Sequence, residues 1–386
     1  MRLASKKQEA LYGKRRRGLS IYEPEKCYDC YVLFTTCGSN TFYLIDKKGK
    51  VVHRWLTSRL SDLGEILPNG HLLYGKSYAA IIEVDWNSKP VWYYPCPWGH
   101  DFAVMPNGHI IINCEGNKRF NRPDIFEGCA EGLAYESPYL LEIDPKTYKV
   151  FWQWWPDDHI EELKKVGVEF PRRISERTKY REGDIFHNNT CEVLPDTRLG
   201  REDPRFKAGN VVFSFRQLDV VGVIDKETGK IVWAWGPGIL DGQHQPTLIP
   251  DFHPITGEPM PGAGHFLIFD NGRYRRDFSR VLEVDPKTNK IVWSYTAPNP
   301  TDFYSWHLGG AERLPNGNTL ICDSHWGRLF EVTPDGEIVW EYLNPFSVEI
   351  PSKGPDSAAY GDLGQDMEHR IYRCVPYPRE YIEQFL

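Results

Sequence analysis

Six segments of this chain end in an aromatic-rich strand built around tryptophan: VVHRWL (Trp55), PVWYY (Trp92), VFWQWW (Trp152), IVWAWG (Trp233), IVWSYT (Trp293) and IVWEYL (Trp340). A motif that recurs at this scale restricts the fold sharply. Each copy is a supersecondary unit too small to bury its own apolar face, so the copies must pack on one another.

Ahead of most copies stands a short apolar strand ending in Asp and a turn: FYLIDKKGK, IIEVDWNSK, LLEIDPKTYK, GVIDKETGK, VLEVDPKTNK and LFEVTPDGE. Apolar strand, Asp-Pro or Gly turn, then tryptophan strand is a β-hairpin pattern. A second hairpin lies further upstream, marked by ILPNGHLLY, VMPNGHIII and RLPNGNTLI, with degraded copies at VLPDT and LIPDF. Two hairpins per copy make four antiparallel strands, and six copies predict an all-β, six-bladed β-propeller. A pair of β-sandwiches accounts less well for six matched closing strands.

The copies are unevenly spaced because of inserts near 116–137, 156–185, 196–209 and 251–263, and DDHIEELKKVGV predicts a helix over 157–166 inside one of them. The tail HRIYRCVPYPREYIEQF holds a strand with no partner of its own. Pairing it with the first hairpin, YVLFTTCGSNTFYLIDKKGKVVHRWL, closes the ring and removes exposed edges. The expected organisation is a basic N-terminal arm over 1–20 and a single propeller domain over 21–386.

A net charge of −7 argues against a nucleic-acid surface, since the only basic cluster is GKRRRG at 13–18. No apolar run reaches membrane-spanning length, and the first thirty residues lack the apolar core of an export signal. Nine scattered cysteines predict reduced thiols and a cytoplasmic protein. Cys27 and Cys30 form one CxxC, but without a second pair at zinc-ribbon spacing they read as ordinary thiols near a strand.

Counted from the proline of each LPNG-type turn, His100 lies six residues before Pro106, His187 eight before Pro195, His244 six before Pro250 and His307 eight before Pro315. All four offsets are even, so in an uninterrupted strand these side chains share one face. The second strand of each blade returns to the same rim, bringing Lys76, Asn113, Glu115, Arg216, Asn271, Arg273 and His325. His53, His71, His109 and His265 fall outside this register and read as structural.

Two chemistries use imidazoles beside cations. A neutral ring can attack a sulfuryl or phosphoryl centre whose anionic oxygens are held by Arg and Asn donors. Alternatively, His100, His187, His244 and His307 can hold a divalent transition metal. The arginines weigh against the metal, because cations beside it are costly unless an anion lies between.

The segments YDCYVLFTTCGSNTFYLIDKKGKVVHRW, FHNN, GQHQP, FLIFDNGR and RIYRCVPYP resemble the corresponding parts of bacterial arylsulfate sulfotransferases, the PAPS-independent six-bladed propeller family. The resemblance runs from about residue 20 to the C-terminus, and FDNGR with the preceding GQH is its most specific part. It implies transfer of a sulfuryl group between phenols through a sulfated histidine, with no cofactor. Carried over by motif, it implicates His244, His187, Asn189, Asn271 and Arg273, and blade order suggests His307 as the nucleophile. Arg216 would join Arg273 on the sulfuryl oxygens, with His187 or His244 handling the phenolic proton and His100, Asn189, Asn271, His325 and Lys76 contacting substrate. The expected partner is a phenolic or sulfated small molecule. Known members carry an export signal and an N-terminal β-sandwich, which are not seen here. A metal-dependent lyase, hydrolase or oxidoreductase and a non-catalytic interaction platform are the other two readings.

Overall fold

The tryptophan strands are the outer strands of six four-stranded antiparallel blades of a β-propeller. The computed structural model describes residues 12, 15–58, 61–119, 134–170, 184–348 and 368–386, with no side-chain detail at 117–119 and 134–136. Most of the predicted arm and parts of the first two inserts lie outside the described residues. No helix among them is long and apolar enough to cross a membrane.

The chain divides into two compact units. The first, Met1–Ser77 with Ile81–Tyr93 and Thr247–Leu386, holds the first and sixth blades and all but a few strand-end residues of the second and fifth, His244 among those left to the other unit. Its first blade runs in the order Ile371–Pro378, Cys30–Thr36, Thr41–Ile45, Val51–Leu56, so the C-terminal strand completes the sheet opened by the first hairpin, as expected. The second blade comprises Ser61–Ile66, Leu72–Lys76, Ala80–Val84 and Pro90–Pro95. The fifth is His244–Leu248, Phe266–Asp270, Arg280–Asp285, Lys290–Tyr295, and the sixth Gly310–Arg313, Thr319–Asp323, Arg328–Val332, Ile338–Leu343. A strand absent from the sequence reading, Gly18–Tyr22, pairs with the outer strand of the sixth blade.

The second unit, Tyr78–Ala80 and Tyr94–Pro246, holds the third blade (Trp98–Val104, Ile110–Cys114, Tyr139–Ile143, Val150–Trp154) and the fourth (Asn188–Val193, Val211–Phe215, Val220–Ile224, Ile231–Trp235). Its predicted helix begins as a 3-10 turn at Pro156–His159 and continues as Ile160–Lys165, seating Ile160 and Leu163 in a core with Trp154, Phe213 and Phe215.

The repeated motifs have repeated physical causes. In each LPNG turn the glycine, Gly70, Gly108 or Gly317, takes positive φ. Its asparagine carboxamide accepts from the backbone N–H two residues on, that of His71, His109 or Asn318. Three outer-strand tryptophans staple neighbouring blades. Trp154 Nε1 donates to Gly229 O at 2.7 Å, Trp293 Nε1 to Pro334 O at 2.8 Å and Trp340 Nε1 to Lys47 O at 2.7 Å. In the third blade the staple is thus Trp154, two residues beyond the sequence marker Trp152.

Candidate active-site residues

The four histidines assigned to structure behave accordingly. His71, His109 and His265 each place Nδ1 within 2.7 Å of a carboxylate on the third strand of the same blade, Glu83, Glu142 and Glu283. His53 bonds Trp86 O through Nε2 at 2.9 Å.

In the second unit, His100 lies within the first strand of the third blade and His187 immediately before that of the fourth, and both have positive φ. Register breaks follow, between Ile112 and Cys114 opposite the one and between Asn188 and Cys191 beside the other. Left-handed residues and bulges interrupt the pleat, so even spacing from the turn does not by itself define a common face here. The two rings nevertheless come together, their centroids 4.5 Å apart and tilted by 53°.

Each ring faces a carboxylate. His187 Nδ1 makes a short hydrogen bond to Asp184, and His100 Nε2 lies 3.7 Å from Glu115 Oε1. An ionised carboxylate can only accept, so Asp184 keeps a proton on Nδ1 and makes Nε2 the basic nitrogen of neutral His187. Arg216, just past the second strand of the fourth blade and 7% exposed, lies 4.0 Å from the same carboxylate. Gly99 makes the approach of Glu115 possible, because a Cβ there would sit 2.6 Å from its carboxylate.

Buried amides hold these segments. Asn113 donates through Nδ2 to Gly99 O and Asn188 O, both at 2.7 Å, bracketing the backbone of both histidines. Asn189 donates to Gln243 O at 2.8 Å, directly ahead of His244, which is 2% exposed. The Asn189 amide thus secures the strand that carries His244.

In the first unit, His307 precedes the first strand of the sixth blade. Its Nε2 accepts a 2.6 Å hydrogen bond from Arg370 Nη1, and its ring packs 3.8 Å from that of Trp306. The His325 ring is 6.3 Å away. Burial, then the charge of Arg370, pushes His325 down to about 3, so it is neutral. Arg273 lies over the Trp306 ring at 5.2 Å. Asn271 donates to Ser305 O and Leu308 O, both at 2.7 Å, clamping the loop that bears His307. FDNGR requires its glycine, since Gly272 has φ +74° and a Cβ there would meet Phe278 O at 2.1 Å. Lys76 ends the second strand of the second blade, partly exposed.

Sequence reasoning missed Asp184 and Arg370. Asp184 sits three residues before His187 in a segment without periodicity, and Arg370 precedes a strand whose apolar pattern drew attention only to closure. Among the described residues no three His, Cys, Asp or Glu side chains form a group able to hold a metal ion. Eight cysteines are described and all are thiols. Cys30 of the CxxC is buried, which pushes its thiol up to about 12, the reverse of an activated thiolate.

Residues 70–345 match the family model described as Arylsulfotransferase (ASST). No curated protein matches the chain. Among solved structures, a protein of unknown function from Bacteroides caccae is 12% identical with TM-score 0.52, covering 91% of this chain and 99% of its own, a likeness of fold alone. A streptogramin B lyase aligns at 12% identity with TM-score 0.45, over 85% of this chain and 82% of that one.

Proposed function

Because the chain belongs to the arylsulfotransferase (ASST) family, we propose that it transfers a sulfuryl group from an aryl sulfate to a phenolic acceptor through a sulfated histidine. The observation that carries this reading is the Asp184–His187 pair with Arg216 beside it and His100 in ring contact. His187 Nε2 attacks sulfur, the S–O bond to the aryl group breaks, and the phenolate takes a proton from His100. Arg216 neutralises the sulfuryl oxygens. In the second half, His100 takes the proton of the acceptor phenol as its oxygen attacks sulfur and releases His187.

This assigns to His187 the role that blade order suggested for His307. What favours His187 is its carboxylate, which leaves Nε2 basic, whereas Nε2 of His307 accepts from a guanidinium. His244, Arg273 and Asn271 remain residues of the family motifs, with Asn271 and Asn189 acting on backbone carbonyls that position histidines. The free thiols favour a reducing, cytoplasmic setting.

The test is intact-mass spectrometry after mixing with 4-nitrophenyl sulfate, followed by peptide mapping. A gain of roughly 80 Da, the sulfuryl mass expected for a covalent intermediate, is predicted on the peptide containing His187. An adduct on His307 restores the blade-order assignment, and turnover with no adduct under quench rejects the covalent route.

A further inference from the structure

We infer that Arg370 is a positioning residue that holds His307 as its neutral Nδ1–H tautomer, and that an oxyanion competes with His307 Nε2 for that guanidinium. A guanidinium has donors only and keeps its charge, so the 2.6 Å contact requires a lone pair on Nε2 and the ring proton on Nδ1. The loop that carries the ring is held by several hydrogen bonds. Asn271 fixes the carbonyls of Ser305 and Leu308, Ser305 Oγ donates to His307 O at 2.8 Å, and Ser279 Oγ accepts from Ser305 N at 2.9 Å. Trp306 covers the ring.

Arg370 is equally fixed. It is 1% exposed, precedes the strand Ile371–Pro378, and its carbonyl accepts from Cys37 N at 2.7 Å. The same guanidinium acts electrostatically on His325, whose ring stays neutral. With Arg273 over Trp306, one loop is flanked by two guanidinium groups and two neutral imidazoles. That chemistry suits a tetrahedral oxyanion such as a sulfate or sulfate ester. An oxyanion adds net charge attraction and can take two parallel N–H bonds from the guanidinium fork, which a single imidazole lone pair cannot, so an arriving oxyanion draws the N–H from Nε2 and exposes the lone pair. No covalent bond changes in this exchange. The proposed reaction enters only in naming a sulfate group as the natural occupant.

The experiment is long-range 1H–15N NMR of the full chain labelled at histidine, with inorganic sulfate as probe and chloride at equal ionic strength as comparator. Wild type is expected to show His307 as Nδ1–H, with a saturable shift of Nε2 on adding sulfate and none with chloride. R370K, which retains a donor, should keep the tautomer, whereas R370M should move the ring toward Nε2–H and abolish the sulfate response. An Nε2–H tautomer in wild type, or equal responses to sulfate and chloride, overturns the inference. These wild-type measurements decide it even if R370M does not fold. Sulfuryl transfer is not read, so its failure and the failure of this inference are separable.

Discussion

The carboxylate of Asp184 accepts a hydrogen bond from Nδ1 of His187 across one turn of irregular backbone, three residues apart in sequence. This pairing fixes which nitrogen of the ring is basic. Asp184→Asn offers an amide that can donate to Nδ1 and so stabilise the opposite tautomer. Aryl sulfotransfer should fall roughly 100- to 10,000-fold in kcat, the range for disabling a positioned acid–base group, with the far-UV circular dichroism unchanged. Activity within a few-fold of wild type would remove this pair from the mechanism.

Asn271 spends its amide on two carbonyls at 2.7 Å in a fully buried position. Truncation to Ala leaves both oxygens of the His307 loop without this donor, costing about 2–4 kcal/mol at roughly 1–2 kcal/mol for each lost bond. Asn271→Asp should cost more, because a carboxylate then faces two carbonyl oxygens. Urea unfolding of both variants checks the order, and an Asp variant as stable as wild type contradicts the clamp.

Trp340 joins the sixth blade to the first through its indole N–H on Lys47 O, and the Lys47 ammonium lies 4.0 Å from its ring centre while pairing with Glu331 at 2.6 Å. Replacing Trp340 by Phe removes the donor and shrinks a fully buried ring. A loss of about 2–4 kcal/mol is expected from the unmet carbonyl and the cavity together, read as a lower urea midpoint. Trp92 is the weaker comparison, since its blade-mates Val91 and Tyr93 are about half exposed.

The blades were legible in the chain because their causes are local. An LPNG turn needs only a left-handed glycine and an asparagine that caps the next backbone N–H, and both are written within four residues. Three of the outer tryptophans share one cause, an indole N–H donated to a carbonyl of the neighbouring blade. Spacing could single out the histidines, yet not their geometry. Positive φ at His100 and His187 and the adjoining bulges arise from how each strand enters its blade, which a count of even spacings assumes away. Asp184 and Arg370 escaped because each acts through a contact that no spacing encodes, one in a loop and one across 63 residues. The strand Gly18–Tyr22 escaped because GLSIY continues directly from the basic run that read as an arm.

Asp323 and His325, two residues apart in the sixth blade, should tilt stability in opposite directions with pH. Burial raises the Asp323 carboxyl from 3.8 to about 7, opposed by Arg328, whose Nη1 stands 4.0 Å away. Between about pH 4 and pH 7 the folded carboxyl keeps a proton that the unfolded one has lost, so its contribution declines as pH rises. His325 is lowered from 6.5 to about 3 by burial and by Arg370. Between about pH 6.5 and pH 3 the unfolded ring binds a proton that the folded ring refuses, so its contribution declines as pH falls. The two slopes oppose each other over the same interval. Asp323→Asn should leave the His325 slope exposed, giving a urea midpoint that climbs from about pH 4.5 to about pH 6.5 more steeply than in wild type. His325→Gln should do the reverse. Parallel curves for wild type and both variants would mean that neither group titrates differently on unfolding.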